Sequence, residues 1–162
     1  MTAVHIVDIL QQWSENNAFF IWLRESPSVF AYPMVFFIHT LGLIFTAGAS
    51  VLVDARLLGA ARQLPVAPFA RYFTAIWIGI TLTVLTGVVM LGSDIQTKLQ
   101  NRLFLPKMVC VVVAIALTVA LRSRIASTRP ETFVSPLVRT LAAASLICWL
   151  GAIALGKFAA YF

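Results

Sequence analysis

Four uninterrupted apolar runs, at about residues 29–53, 69–92, 103–121 and 134–160, take up most of the chain. Each is close to the roughly 20 residues a helix needs to cross a hydrocarbon core of about 30 Å. A backbone in lipid has to satisfy its own hydrogen bonds, so such runs become helices. The alternating pattern of a membrane barrel is absent from them. Composition agrees: 60% of residues are hydrophobic and 11% are charged, against about 25% charged in a soluble domain. A soluble fold of 162 residues could not bury that much apolar surface. The expected fold is therefore all-α: a polytopic membrane protein, one domain over 1–162, built as an up-down bundle of four transmembrane helices. Its first partner is the lipid bilayer.

The segments between the runs are short and polar, which suits antiparallel neighbours. Ahead of the first run, residues at about 3–24 read as a short amphipathic helix lying in the membrane interface, with Trp13 and Trp22 as anchors. This segment lacks the basic start and unbroken apolar stretch of a secretory signal. Basic residues are unevenly shared between the two sides. Arg56, Arg62, Arg71, Arg122, Arg124, Arg129 and Arg139 flank the first and third connections, seven of the twelve in the chain. Lys/Arg-rich connections stay in the cytoplasm. Both termini and the second connection are thus expected in the periplasm, with the chain in a bacterial inner membrane. No basic stretch is interleaved with exposed aromatics, so nucleic-acid binding is excluded despite the net charge of +6.

An ionisable side chain deep in a span is costly and by default a functional residue. Two stand out. His39 lies about ten residues into the first run, where no flexible stem can carry it to water. On its helical face come Gly42 and Thr46 below and Tyr32 above. Small residues at that spacing let a neighbouring backbone or a flat ligand approach closely. Imidazole is a ligand for haem iron and also suits copper or zinc. Lys107 starts the third run, behind Pro106 in the first helical turn. With the first run descending and the third starting on the same side, both residues fall in one half of the bilayer. His39, as the metal ligand, together with Gly42, Thr46, Lys107 and Tyr32 form the expected cofactor-binding set. Cys110 and Cys148 read as buried small side chains, since no C-x-x-C or C-x-x-C-H occurs. No pair of carboxylates shares a span, and no H-E-x-x-H or G-x-S-x-G is present. A single internal histidine cannot build a bis-histidine haem site within one chain.

The stretch "YPMVFFIHTLGLIFTAGASVLVDARLLG", with "LPVAPFARY" and "NRLFLPKMVCVV" after it, resembles a bacterial family of small four-helix membrane proteins of unknown function. More distantly the chain is similar to the haem-binding four-helix protoporphyrinogen oxidases and to the copper-resistance D membrane domains. In the oxidases a histidine of the first span and a lysine early in a later span belong to the haem site, and His39 and Lys107 stand in corresponding settings. The tryptophan and histidine that usually precede that lysine are absent from "RLFLPK", and His39 sits deeper in its span. The resemblance thus implies haem rather than the oxidase reaction. The resulting expectation is a b-type haem protein performing electron transfer or redox chemistry near the periplasmic face, with a quinone or a periplasmic redox partner, assembled as a homo-oligomer. Two rival readings remain: a copper or small-solute permease drawing on Met34, Met90, Met108 and the cysteines, and a cofactor-free structural subunit. Whether the chain is an enzyme is left open by the sequence.

Overall fold

The computed structural model describes residues 3–61, 63–65, 67–127, 134–159 and 161. Arg62, Arg129 and Pro130, which entered the charge and boundary arguments, lie outside the described residues, as does the last position of the expected fourth span. The described chain is all α-helical apart from turns and one 3-10 turn at Ala67–Arg71. Two short helices, α1 (Ala3–Asn16) and α2 (Ala18–Glu25), precede the spans. The four long helices are α3 (Tyr32–Leu58), α4 (Tyr72–Ser93), α6 (Phe104–Ser127) and α7 (Pro136–Phe158), with α5 (Ile95–Gln100) between the second and third. All four long helices are long and apolar enough to cross a bilayer, and the chain is a multi-pass membrane protein.

Local chemistry explains where these helices start and stop. Pro33 and Pro136 sit in the first turns of α3 and α7, where a missing N–H costs nothing. Ser135 caps α7 by accepting from the Val138 N–H at 3.4 Å. Gly59 ends α3 in the left-handed region, at φ 113°, a conformation glycine adopts without strain. The helix therefore runs five residues past the sequence boundary at 53. Asp54 and Arg56 do not stop it, because charge marks depth in a membrane and not the end of a helix. The expected single interfacial helix is two helices, because Asn17 leaves helical geometry and caps α2 by accepting from the Phe19 N–H at 3.0 Å.

The long helices pack in the order α4–α3–α7–α6, each antiparallel to its neighbour. We call the end carrying α1, α2, α5 and the C-terminus the upper end, and the end carrying Gly59 and Ser135 the lower end. The apolar core is concentrated toward the lower end: Val53, Leu57, Phe73, Ile76, Leu121 and Ile125 close the bundle there, with Trp149 at mid-depth. Nearer the upper end the long helices bury small apolar residues, Ala114 near mid-depth and Ala152 above it. The total accessible surface is 10239 Å², against about 8,000 Å² for a compact soluble chain of this mass. Phe36, Phe37, Ile44, Leu85, Val88, Val112 and Ile147 are all more than half exposed. Side chains of this kind stay exposed only where lipid covers them.

The two short helices are fastened over the upper end by polar contacts. Ser14, fully buried, donates to the Gly92 carbonyl. Arg24 donates from Nη1 to Ser14 Oγ at 3.1 Å and to the Ser93 carbonyl at 3.1 Å. Gln11 Oε1 accepts the first free N–H groups of α5, from Ile95 and Gln96, both at 3.2 Å. Arg24→Ala is expected to loosen this cover by roughly 1–2 kcal/mol. Limited proteolysis would show faster cleavage within residues 3–25, with the four long helices intact.

Candidate functional site

The register of α3 against α4 follows from close backbone approach. A Cβ on Gly42 would lie 2.5 Å from Thr83 Oγ1 and 2.9 Å from Thr83 N. One on Gly79 would lie 2.6 Å from Thr46 N and 2.7 Å from the Gly42 carbonyl oxygen. Gly42/Thr46 and Gly79/Thr83 are thus two small pairs four residues apart that interlock. Thr46 donates to the Gly42 carbonyl at 2.9 Å and is buried. The small stripe below His39 is therefore filled by α4, and Gly42 and Thr46 set helix spacing. They leave no room for a flat ligand on that face.

This register places His39 against Thr86 and Gly87. The ring lies over Gly87, whose absent Cβ would meet His39 Cε1 at 3.4 Å. His39 Nδ1 and Thr86 Oγ1 are 2.9 Å apart. Thr86 has one hydroxyl proton and gives it to the Leu82 carbonyl at 2.6 Å. With that proton on Leu82, Thr86 Oγ1 accepts from the ring in the tautomer protonated at Nδ1, which leaves Nε2 its lone pair. A fixed Nδ1–H donor is the arrangement found behind metal-ligating histidines, where the second partner holds ring and tautomer.

Lys107 of α6 lies within electrostatic reach of His39, and Lys98 of α5 within reach of Lys107. The structure thus brings together the two residues singled out from the sequence, from helices that do not pack directly on each other. The Lys107 stem rests on α7, with Cε and Nζ 3.4 Å from where a Gly156 Cβ would be. Cys110, one turn below, lies 3.7 Å from the same position on Gly151. Glycine on α4 and α7 therefore leaves space beside both His39 and Lys107. No salt bridge to Lys107 occurs among the described residues. Lys98 Nζ stands over the Tyr32 ring, 5.9 Å from its centroid. Tyr32 therefore belongs to the upper mouth with Glu15, Arg24 and Asp94, two helical turns above His39 on the same face.

The space into which these groups project follows from the packing order. α4 and α6, at the two ends of the row, do not pack along their length. In the upper half, His39, Gly87, Met90, Lys107, Cys110 and Gly156 are all only half-buried. Such an arrangement offers an imidazole, an ammonium without an anionic partner among the described residues, and a wall of small residues. Groups of three or more His, Cys, Asp or Glu side chains are absent among the described residues. Cys110 and Cys148 are free thiols. Compared with family models, with curated proteins and with solved structures, the chain finds no match.

Proposed function

We propose that this chain is a membrane haem protein that binds one b-type haem in the upper half of the domain, between α4 and α6, and carries electrons there. The observation that supports it most is the contact of His39 Nδ1 with Thr86, which would leave Nε2 to a ligand, in the same half as Lys107, for which no carboxylate partner occurs among the described residues. One ligand would answer both: a metal centre for the imidazole and a negative group for the ammonium. Haem joins the two in a single flat body, with iron at its centre and propionates at its edge. Bound haem supplies one-electron chemistry.

The chain's own groups do the rest. Thr86 orients the His39 ring and raises its basicity by accepting the Nδ1 proton. Lys107 would pair with a propionate or help to hold the iron. Gly87 and Gly156 keep the walls flat, and Trp149 closes the floor. The basic residues at the lower end favour a cytoplasmic location for that end. The site then lies toward the periplasmic face of a bacterial inner membrane, within reach of a quinone or a periplasmic redox protein. The resemblance to the haem-binding four-helix proteins supports the same reading. The open side between α4 and α6 suits a second copy of the chain, so a homo-oligomer belongs to the proposal.

The test is titration of protein from haem-limited cells with hemin, followed by absorption. A saturable, stoichiometric Soret change is the expected result. A colourless product that binds copper instead would favour the permease reading. Thr86→Val provides a finer check: it keeps shape but removes the acceptor behind the ring. Haem affinity should fall about 10- to 100-fold, while the unfolding temperature barely moves.

A further inference from the structure

We propose that α3 and α7 hold a second site, for a monovalent cation, built on Asp54, Ser50 and Ser145 in the lower half of the membrane domain. Asp54 is 1% exposed, Ser145 1% and Ser50 3%. The Ser145 hydroxyl lies near the Asp54 carboxylate across the helix interface, without making a hydrogen bond to it. Yet Asp54 Oδ2, Ser145 Oγ and Ser50 Oγ have no hydrogen-bond partner among the described residues. α3 and α7 run antiparallel, so one turn back from Asp54 and one turn on from Ser145 lead to the same level. Ser50 and Trp149 therefore stand at the same level, one turn up, and the Trp149 indole N–H is also without a partner among the described residues. Four unpartnered polar groups thus share one interface.

Most other hydroxyls in the spans are satisfied, with Thr83 Oγ1 on α4 a further exception among the described residues. Thr40 donates to the Phe36 carbonyl at 2.9 Å, Thr81 to that of Trp77 at 2.9 Å and Thr118 to that of Ala114 at 2.8 Å. Bonding back to the preceding turn is the default for a hydroxyl in a helix without water. Ser50 and Ser145 forgo it while they flank a carboxylate. Charge does not resolve the matter either. α4 carries no charged residue between Tyr72 and Ser93. Arg139 on α7, Arg122 and Arg124 on α6, and Arg71 before α4 are exposed at the lower end. Arg56 directs Nε and Nη2 to the Leu64 carbonyl.

A bare carboxylate in a low-dielectric interior is costly, and one positive charge on hard oxygen donors removes the cost. A sodium ion would take the carboxylate and both serine hydroxyls as ligands. A proton would turn the carboxyl into a donor for one serine. Both supply the same chemistry, a single positive charge held by oxygen. The site is independent of the haem reading: Asp54 lies fifteen residues from His39 on the same helix, about 22 Å along its axis.

The experiment uses the purified full chain in detergent, with Asp54→Asn and Ser145→Ala beside it. One arm compares thermal unfolding in sodium chloride and choline chloride. The other records the infrared carboxyl region in H₂O and D₂O at neutral pH. Sodium binding would raise the unfolding temperature selectively in sodium chloride, and Asp54→Asn would lose that rise. Proton binding would give a protonated-carboxyl band that moves in D₂O and is lost in Asp54→Asn. Ser145→Ala keeps the carboxyl and should weaken the sodium response or shift the band, which decides the matter even if Asp54→Asn does not fold. Wild-type protein with neither a sodium response nor such a band overturns the proposal, as does a Ser145→Ala variant identical to wild type in both arms.

Discussion

His39→Ala is expected to abolish haem binding while leaving the fold in place. The ring is half-buried, and it lies against the Thr86 hydroxyl at 2.9 Å, the Thr83 backbone and the open face of Gly87. Losing that hydrogen bond costs about 1 kcal/mol of stability, a small share of what holds four packed helices together. Losing Nε2 would remove the nitrogen proposed to hold the iron. Purified His39→Ala should therefore show a near-native unfolding temperature and no Soret band. His39→Gly should regain the band when imidazole is added, because Gly87 leaves space beside the vacated ring. A His39→Ala protein that keeps a full complement of haem would assign the ligand elsewhere.

Gly79→Ala is expected to have the largest effect on stability. The added Cβ would stand 2.6 Å from Thr46 N and 2.7 Å from the Gly42 carbonyl oxygen. Both are backbone atoms and cannot rotate away, so α3 and α4 must separate. Overpacking of this kind costs about 3 kcal/mol. The same displacement would pull Thr86 from His39, so haem retention should fall together with the unfolding temperature. Gly48→Ala is the control. Nothing lies within 4 Å of that Cβ, and replacing a mid-helix glycine gains up to about 1 kcal/mol. If both variants unfold together, the α3–α4 contact is not the tight one described here.

These two residues also show how far the sequence could be read. The four spans, the all-α fold and the shared half of His39 and Lys107 follow from hydropathy and chain direction, because lipid imposes length and helicity on every segment alike. What the sequence hides is which side of a small-residue stripe is used. Gly42 and Thr46 looked like a slot beside His39. A stripe of that kind accepts a ligand or a helix equally well, and only the partner Gly79-x-x-x-Thr83 on α4 decides between them. That matching pair was the available signal. Thr86 was visible only as one of several threonines on α4. Its role depends on a register that follows from the glycine contact. The packing order α4–α3–α7–α6 was hidden too, since short connections specify antiparallel neighbours and not which helices end up apart. From the sequence alone, Asp54 is only a charge just past the end of the first apolar run, near Arg56. Its position facing Ser145 needed the α3–α7 interface, which joins residues 91 positions apart.

The central claim is that the upper half of this four-helix domain holds a haem on His39. The most direct measurement is a reduced-minus-oxidised visible difference spectrum of the gently purified wild-type protein, with haem quantified as the pyridine complex on the same sample. The account predicts a Soret band that shifts on reduction, sharp α and β bands, and haem stoichiometric with protein. A featureless spectrum with no pyridine-extractable haem, from a preparation that is folded and helical, would contradict it.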